Sequence, residues 1–307
     1  MLTSFFAKSS PLHFLLVGSY LFLILGINFV IDAETNFTSE GIGMFPGVLA
    51  LLIFSILLLD FMIRKNTLTH LNAFSIFVFA CSAAMLPEIF KMPAIVVSSV
   101  LLLLAVRRMF SLQSPKNAEI KILDASLWIG LASLFYFWSF LFLIALYMAI
   151  FLKPLKNVRY LLIPVVGIVG LFLIVTAFYF MYDNSFSWFL DWLETISLDF
   201  SSYAKPQQWI FVTIMGALII WTTVSIMADI SKGPRKDKPN NILKLYVLAV
   251  SVLLVLVSSE KSGAEFLFLI APAAIIISNF IEKKTEIWFK EILMWIFLLL
   301  PIVFIFL

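Results

Sequence analysis

Residues 122–152, ILDASLWIGLASLFYFWSFLFLIALYMAIFL, form an apolar run in which Asp124 is the sole charged residue. As one helix the run would be about 46 Å long, because an α-helix rises about 1.5 Å per residue. The hydrocarbon core of a bilayer is about 30 Å thick. The flanks decide between one span and two. Arg107, Arg108, Lys116 and Lys121 precede the run, and Lys153, Lys156 and Arg159 follow it. Basic loops favour the cytoplasmic side, so both ends of the run belong on one side. That requires two short helices, or a re-entrant pair, broken between Ser133 and Ser139. The alternative is a single tilted span, which would place one basic loop outside.

The rest of the 307-residue chain has the same character. It is 63% hydrophobic and 13% charged, with a mean hydropathy of +1.08. Soluble domains carry about 25% charged residues, so most of this surface faces something other than water. The 33 phenylalanines suit a lipid-facing surface. A net charge of +3, spread over short loops, is a topology signal and excludes a nucleic-acid partner. Cys81, the single cysteine, rules out an internal disulfide or a cysteine metal site. The run Leu12 to Ile31 follows Lys8, is too long for a signal-peptide core and lacks a small-residue cleavage site. It is expected to be an uncleaved first span.

Apolar runs recur at 12–31, 45–63, 72–87, 94–108, 123–136, 138–152, 160–180, 209–228, 243–258, 264–281 and 290–307. The expected fold is an all-α polytopic transmembrane bundle of about eleven segments, in one membrane domain over 1–307. Loop charge orients it. Lys8, Arg64 and Lys65, the two loops named above, Lys232 to Lys244 and Lys283 to Lys290 are basic. The N-terminus is therefore expected in the cytoplasm and the C-terminus outside a bacterial inner membrane. The linker 231–241 (SKGPRKDKPNN) is the hydrophilic cytoplasmic loop. The segment 181–208 is the long external loop. In it Phe186, Phe189, Leu190, Leu193, Ile196 and Phe200 recur at helical spacing. An interfacial amphipathic helix is expected there, with Trp188 and Trp192 at headgroup depth. It would be a cover over the bundle or a lid over a lipid site.

Ionisable residues avoid the span centres. Asp60, the deepest, lies four residues before Arg64, the spacing of a helical ion pair. Ion-coupled carriers usually hold a midplane carboxylate or a broken helix, so a pump or coupled carrier is disfavoured. Polar groups gather at the external ends instead. Asn28 and Asp32 share a helix face, and Glu34 and Glu40 follow. Glu88 and Lys91 lie between Pro87 and Pro93, and Glu260, Lys261 and Glu265 sit in a later external turn. Carboxylates here suit a general base or a divalent cation. Lys91, Lys205 and Lys261 suit a lipid phosphate. The other reading is loop charge kept in water. Gly167 and Gly170 permit close helix packing, and Pro272 and Pro301 are expected to kink their spans. No P-loop, GxSxG or zinc motif is present.

The stretches MLTSFFAKSSPLHFLLVG, ILDASLWIGLASLFYF and EKSGAEFLFLIAPAAIIISNFIEKK together resemble an uncharacterised bacterial family of multispanning inner-membrane proteins, over nearly the whole chain. Some of its members carry a carotene-oxygenase label. That activity needs several histidines, and His13 and His70 are too few and too far apart. The chain is also similar in layout to the membrane-embedded C-type glycosyltransferases, which use polyprenyl-phosphate sugars at the outer face. The resemblance rests on Asp32 and Glu34 just after the first span, on Arg107 to Phe137, and on Glu260 with Lys261. It implies a catalytic carboxylate at Asp32 or Glu34 and donor phosphate at Lys261. The short first external loop departs from that layout.

Three functions remain open. The first is glycosyl transfer to or from a polyprenyl-linked glycan, with Asp32 or Glu34 as base, Lys91, Lys205 and Lys261 on phosphate, and Asn28, Glu40, Glu88, Glu260 and Glu265 in support. The second is a non-catalytic scaffold for other envelope membrane proteins, in glycan or secretion machinery. The third is a lipid-linked substrate flippase, for which little polar lining exists beyond Ser, Thr and Asn279. A convergent external cavity separates the first from the second.

Overall fold

The computed structural model describes residues 2–31, 39–114, 116–152, 158–184, 186–203, 205–232, 237–259 and 261–306. Among these there is no strand. The helices are α1 (Leu2–Phe6), α2 (Pro11–Ile31), α3 (Ser39–Asn66), α4 (Phe74–Ala84), α5 (Pro93–Ser111), α6 (Ala118–Phe135) and α7 (Phe142–Phe151). They continue with α8 (Arg159–Asp183), α9 (Trp188–Trp192), α10 (Pro206–Lys232), α11 (Lys238–Val257), α12 (Leu267–Lys283) and α13 (Ile287–Ile305). Eight helices among the described residues are long and apolar enough to cross a membrane. Two shorter apolar stretches, Phe74–Ala84 and Phe137–Phe151, accompany them. The chain is a multi-pass membrane protein in character.

It packs as two compact units. The first comprises Met1–Val96, Asp199–Pro234 and Lys261–Leu307. Its core is α4 against α12. All eleven residues of α4 are buried, as are Leu267 to Ile281 of α12. A helix buried on every side must be apolar or small on every side, and FSIFVFACSAA is. Around α4 stand α2, α3 and α13, while α10 lies on α12 and α1 on α13. The chain stays helical through Pro272 and Pro301.

Polar residues of this unit sort to the two ends of α12, about 25 Å apart by helix rise. At one end Glu282 accepts hydrogen bonds from His70 N–H at 3.2 Å and from the Asn72 amide. Nearby in sequence, Glu291 at the start of α13 accepts from Leu2 N–H, Thr3 N–H and Thr3 O–H. Asp60 meets Arg64 at 2.6 Å across one helical turn, as their spacing predicts. The other end carries the site described below.

The second unit comprises Val97–Leu198 and Arg235–Glu260. Here the long apolar run does break. α6 stops at Phe135, Tyr136 is extended (φ −150°, ψ 106°), and a 3₁₀ turn over Phe137–Leu141 leads into α7. Breaking a helix frees carbonyls that cost several kcal/mol each when left bare in hydrocarbon. Ala132 O keeps the backbone N–H of Tyr136 at 3.0 Å and accepts Ser98 O–H at 3.0 Å as a second donor, while Ser133 O, freed by the break, accepts the Trp192 indole N–H at 2.6 Å. Tyr136 O–H reaches Ser258 Oγ at 2.6 Å.

Trp192 therefore lies on the break, against the Phe137 ring at 4.9 Å, and Trp188 donates to Thr176 Oγ1 at 3.2 Å. Over 186–200 the helix is shorter than the apolar periodicity suggests. It is the five-residue α9, with residues 193–200 outside regular structure. A five-residue helix forms little more than its costly nucleus, and α9 buries none of its residues. The two tryptophan contacts hold it in place of a continuous apolar face.

The close packing of α6 on α8 depends on glycines, Gly130 of α6 against Ile168 and Leu171 and, more tightly, Gly167 of α8 against Ser126. A Cβ at Gly167 would overlap Ser126 Oγ, whereas a Cβ at Gly170 would meet nothing within 4 Å. Gly167→Ala is expected to destabilise the protein by about 1–3 kcal/mol through overpacking. Gly170→Ala should be neutral or stabilising, since alanine is the better helix former. Thermal unfolding of the two variants in detergent checks the contrast.

Candidate functional site

At the end of the first unit opposite Glu282 lies a cleft of about 310 Å³. Its apolar wall comprises Ile31 at the end of α2, Met85 and Leu86, Phe211 of α10, and Phe304 and Ile305 at the end of α13. Its polar rim comprises Asn28, Glu88, Lys205, Gln207, Gln208 and the Gly263 backbone. Local sequence explains each position. Pro87 and Pro93 bracket a short 3₁₀ turn, Pro87–Phe90, which stops α4 and presents Glu88. Pro206 begins α10, with its fixed φ suited to the first helical turn, so Lys205, Gln207 and Gln208 cluster there.

Glu88 stands between two cations. Lys91 lies 2.9 Å from one carboxylate oxygen, and Lys205 pairs with the other. Burial alone would push the Glu88 carboxyl up, but hydrogen bonds and charge from Lys205 and Lys91 outweigh it and hold the group below its ordinary value. Both lysines are substantially exposed, at 46% for Lys91 and 58% for Lys205. Their ammonium groups therefore remain open to an anion arriving at the rim.

Gln208 is buried. Its amide donates to Ser262 O at 2.9 Å, which fixes which way the carboxamide points. Its Oε1 is buried with no donor among the described residues. Asn28 donates to Ile24 O at 3.1 Å, the preceding turn of its own helix.

Lys261 and Glu265 form a separate group beneath the rim. The Glu265 carboxylate is fully buried and accepts from Gly263 N–H at 2.8 Å, Ser262 O–H at 3.1 Å and Tyr203 O–H. With three donors, Glu265 fastens the turn that opens α12. Lys261 is buried too, its ammonium 4.6 Å from the centre of the Phe200 ring. Burial pushes the ammonium down, while Glu265 and Asp199 pull it back up. Asp199, held low chiefly by Ser201, is exposed.

Of the candidates raised by sequence, the structure thus brings Asn28, Glu88 and Lys205 to one cleft with Lys91 beside them, and sets Lys261 with Glu265 apart from its lining. Asp32, Glu34 and Glu260, and the side chain of Glu40, lie outside the described residues. Gln208 and Gly263 escaped the sequence reading. The adjacent Gln207 and Gln208 at the head of an apolar run were the available signal. Among the described residues no three His, Cys, Asp or Glu side chains gather as a metal site.

Residues 5–307 match the model of DUF6427, a family of unknown function, and the chain belongs to that family. No curated protein and no solved structure matches it.

The Glu88 pairing has a pH signature. A carboxyl lowered in the folded state adds stability above its unfolded value and loses it as pH falls through the folded one. Glu88→Gln should lower stability at neutral pH by no more than about 1 kcal/mol, since both lysines are exposed. The difference from wild type should close as pH falls below the ordinary glutamate value of about 4.3 and through the lower folded one. Melting curves of both proteins across that range check it.

Proposed function

We propose that this protein crosses the bacterial inner membrane eleven times and acts at the external face on a polyprenyl-phosphate-linked glycan, as a glycosyltransferase. The crossings would be α2 to α8 and α10 to α13, with α6 and α7 as the short pair. The N-terminus would be cytoplasmic and the C-terminus external. Support comes from the first unit. The ends of α2, α4 and α13 and the start of α10, all external by loop charge, line one cleft, while Glu282 with Asn72 and Glu291 with Thr3 lie at ends assigned to the cytoplasm.

The observation that carries the functional reading is the build of that cleft. Its wall is apolar, and its rim places a carboxylate between two lysines. An amphiphile with an anionic head fits this arrangement, its chain along the wall and its phosphate at Lys205 and Lys91. Asp32 and Glu34 lie outside the described residues; among the described residues Glu88 is the carboxylate placed to act as the base. While both lysines pair with it, Glu88 is a poor proton acceptor. A phosphate that takes the lysines leaves the carboxylate more basic, so base strength rises only in the loaded complex. In the transfer step the acceptor oxygen bonds the anomeric carbon as its proton passes to Glu88. The bond from that carbon to the phosphate oxygen breaks, and the released phosphate stays on the lysines.

The test is release of polyprenyl phosphate from a polyprenyl-phosphate hexose by membrane vesicles containing the protein. Glu88→Gln should slow release by about 100-fold or more, the usual contribution of a general base, while the protein still accumulates in the membrane. Release at the wild-type rate by Glu88→Gln would remove the catalytic role of Glu88.

A further inference from the structure

The Gln208 carboxamide is firmly positioned, yet its oxygen has no partner among the described residues. Its nitrogen is committed to Ser262 O at 2.9 Å. Reversing the amide would set two oxygens against each other, so Oε1 cannot exchange places with the nitrogen. Gly263 packs directly against the amide. A Cβ there would come within 2.7 Å of Gln208 Nε2, and the residue has φ +98°, which only glycine adopts without strain. The adjacent turn is fastened by Glu265, which accepts from Gly263 N–H and Ser262 O–H. Backbone, glycine and buried carboxylate together hold the amide in the wall of the cleft.

What this leaves is a buried acceptor without a donor among the described residues. A buried polar atom left unpaired is costly, and such atoms in native proteins call for an explanation. Gln208 lines the same cleft as Glu88 and Lys205. The rim thus offers cations, and the residue that carries the buried, neutral acceptor lines the same cleft. Cations fit a phosphate, which accepts but does not donate when fully ionised. The acceptor fits a hydroxyl, which a sugar carries at any pH and a bare lipid phosphate carries only as its monoanion, below a second pKa of about 6.

We propose that Gln208 Oε1 accepts a hydrogen bond from a sugar hydroxyl beside the lipid phosphate, so that the cleft selects glycosylated polyprenyl phosphate over the bare lipid. This rests on the reading of the cleft as a polyprenyl-phosphate site and adds to it a residue that distinguishes donor from spent carrier. Such discrimination favours product release, because loss of the sugar removes the hydrogen bond while the lysine contacts persist.

The experiment compares binding of polyprenyl-phosphate hexose and of polyprenyl phosphate to the full chain in nanodiscs. Wild type should bind the glycosylated lipid about tenfold more tightly, the scale of one well-placed hydrogen bond. Gln208→Met, which preserves side-chain length, should bring that preference to about one while leaving affinity for the bare lipid unchanged. Gly263→Ala, which displaces the amide and strains the turn, should also lose the preference. Equal affinity of the wild type for both lipids would overturn the proposal without any variant, and so would a preference that survives in Gln208→Met. Binding of the bare lipid in either case would leave the polyprenyl-phosphate reading standing. Failure of both lipids to bind wild type would end that reading and the proposal with it.

Discussion

A backbone amide or carbonyl has no water to turn to inside a bilayer, and each one left unpaired costs several kcal/mol. That constraint makes every regular element among the described residues a helix. It also explains the place where the helical ladder is interrupted. At Tyr136 the run from Ala118 to Phe151 is interrupted, the freed carbonyl of Ser133 meets Trp192, and Ser98 adds a second donor to Ala132 O, which Tyr136 N–H already holds. The partners come from α5 and α9, elements distant in sequence, so the break is a tertiary feature of the second unit and not a local lapse in helix propensity.

The same scarcity of water governs the charges. In the first unit they lie toward the ends of the long helices and hold one another or the backbone. Glu291 takes the free N–H groups that begin α1, Glu282 takes the loop before α4, and Glu265 closes the turn before α12. These three carboxylates are saturated by donors that build the fold. Glu88 differs, because its partners are the ammonium ends of two exposed lysines. An arriving anion can compete for those lysines in a way it cannot compete for the backbone N–H of Gly263. That difference, more than depth or charge, separates a site from a fastening.

Helix positions and the break between Ser133 and Ser139 were legible in the sequence because length and loop charge are additive, local signals. The Asp60–Arg64 pair was legible for the same reason, as two residues one helical turn apart. The pairing of Glu88 with Lys205 was not, since 117 residues separate them and only packing brings them together. Lys261 was singled out by its charge on an acidic side, but nothing in its neighbours announced burial against Phe200. The periodicity from Phe186 to Phe200 suggested a longer helix than α9, because an apolar pattern records which residues seek cover and not which backbone form supplies it. Gln208 was the least legible of all. Its importance comes from an unpaired atom, and pairing is a property of the folded neighbourhood.

The central claim is that the cleft bounded by α2, α10 and α13 receives a polyprenyl phosphate. Photocrosslinking tests it most directly, with a photoreactive polyprenyl phosphate added to membranes that contain the full chain. The account predicts that crosslinked peptides map to Met85–Glu88 and to Lys205–Phe211, and that excess unlabelled polyprenyl phosphate suppresses them. Crosslinks confined to exposed faces such as Val165, Val169 and Leu173 of α8, undiminished by competitor, would contradict it.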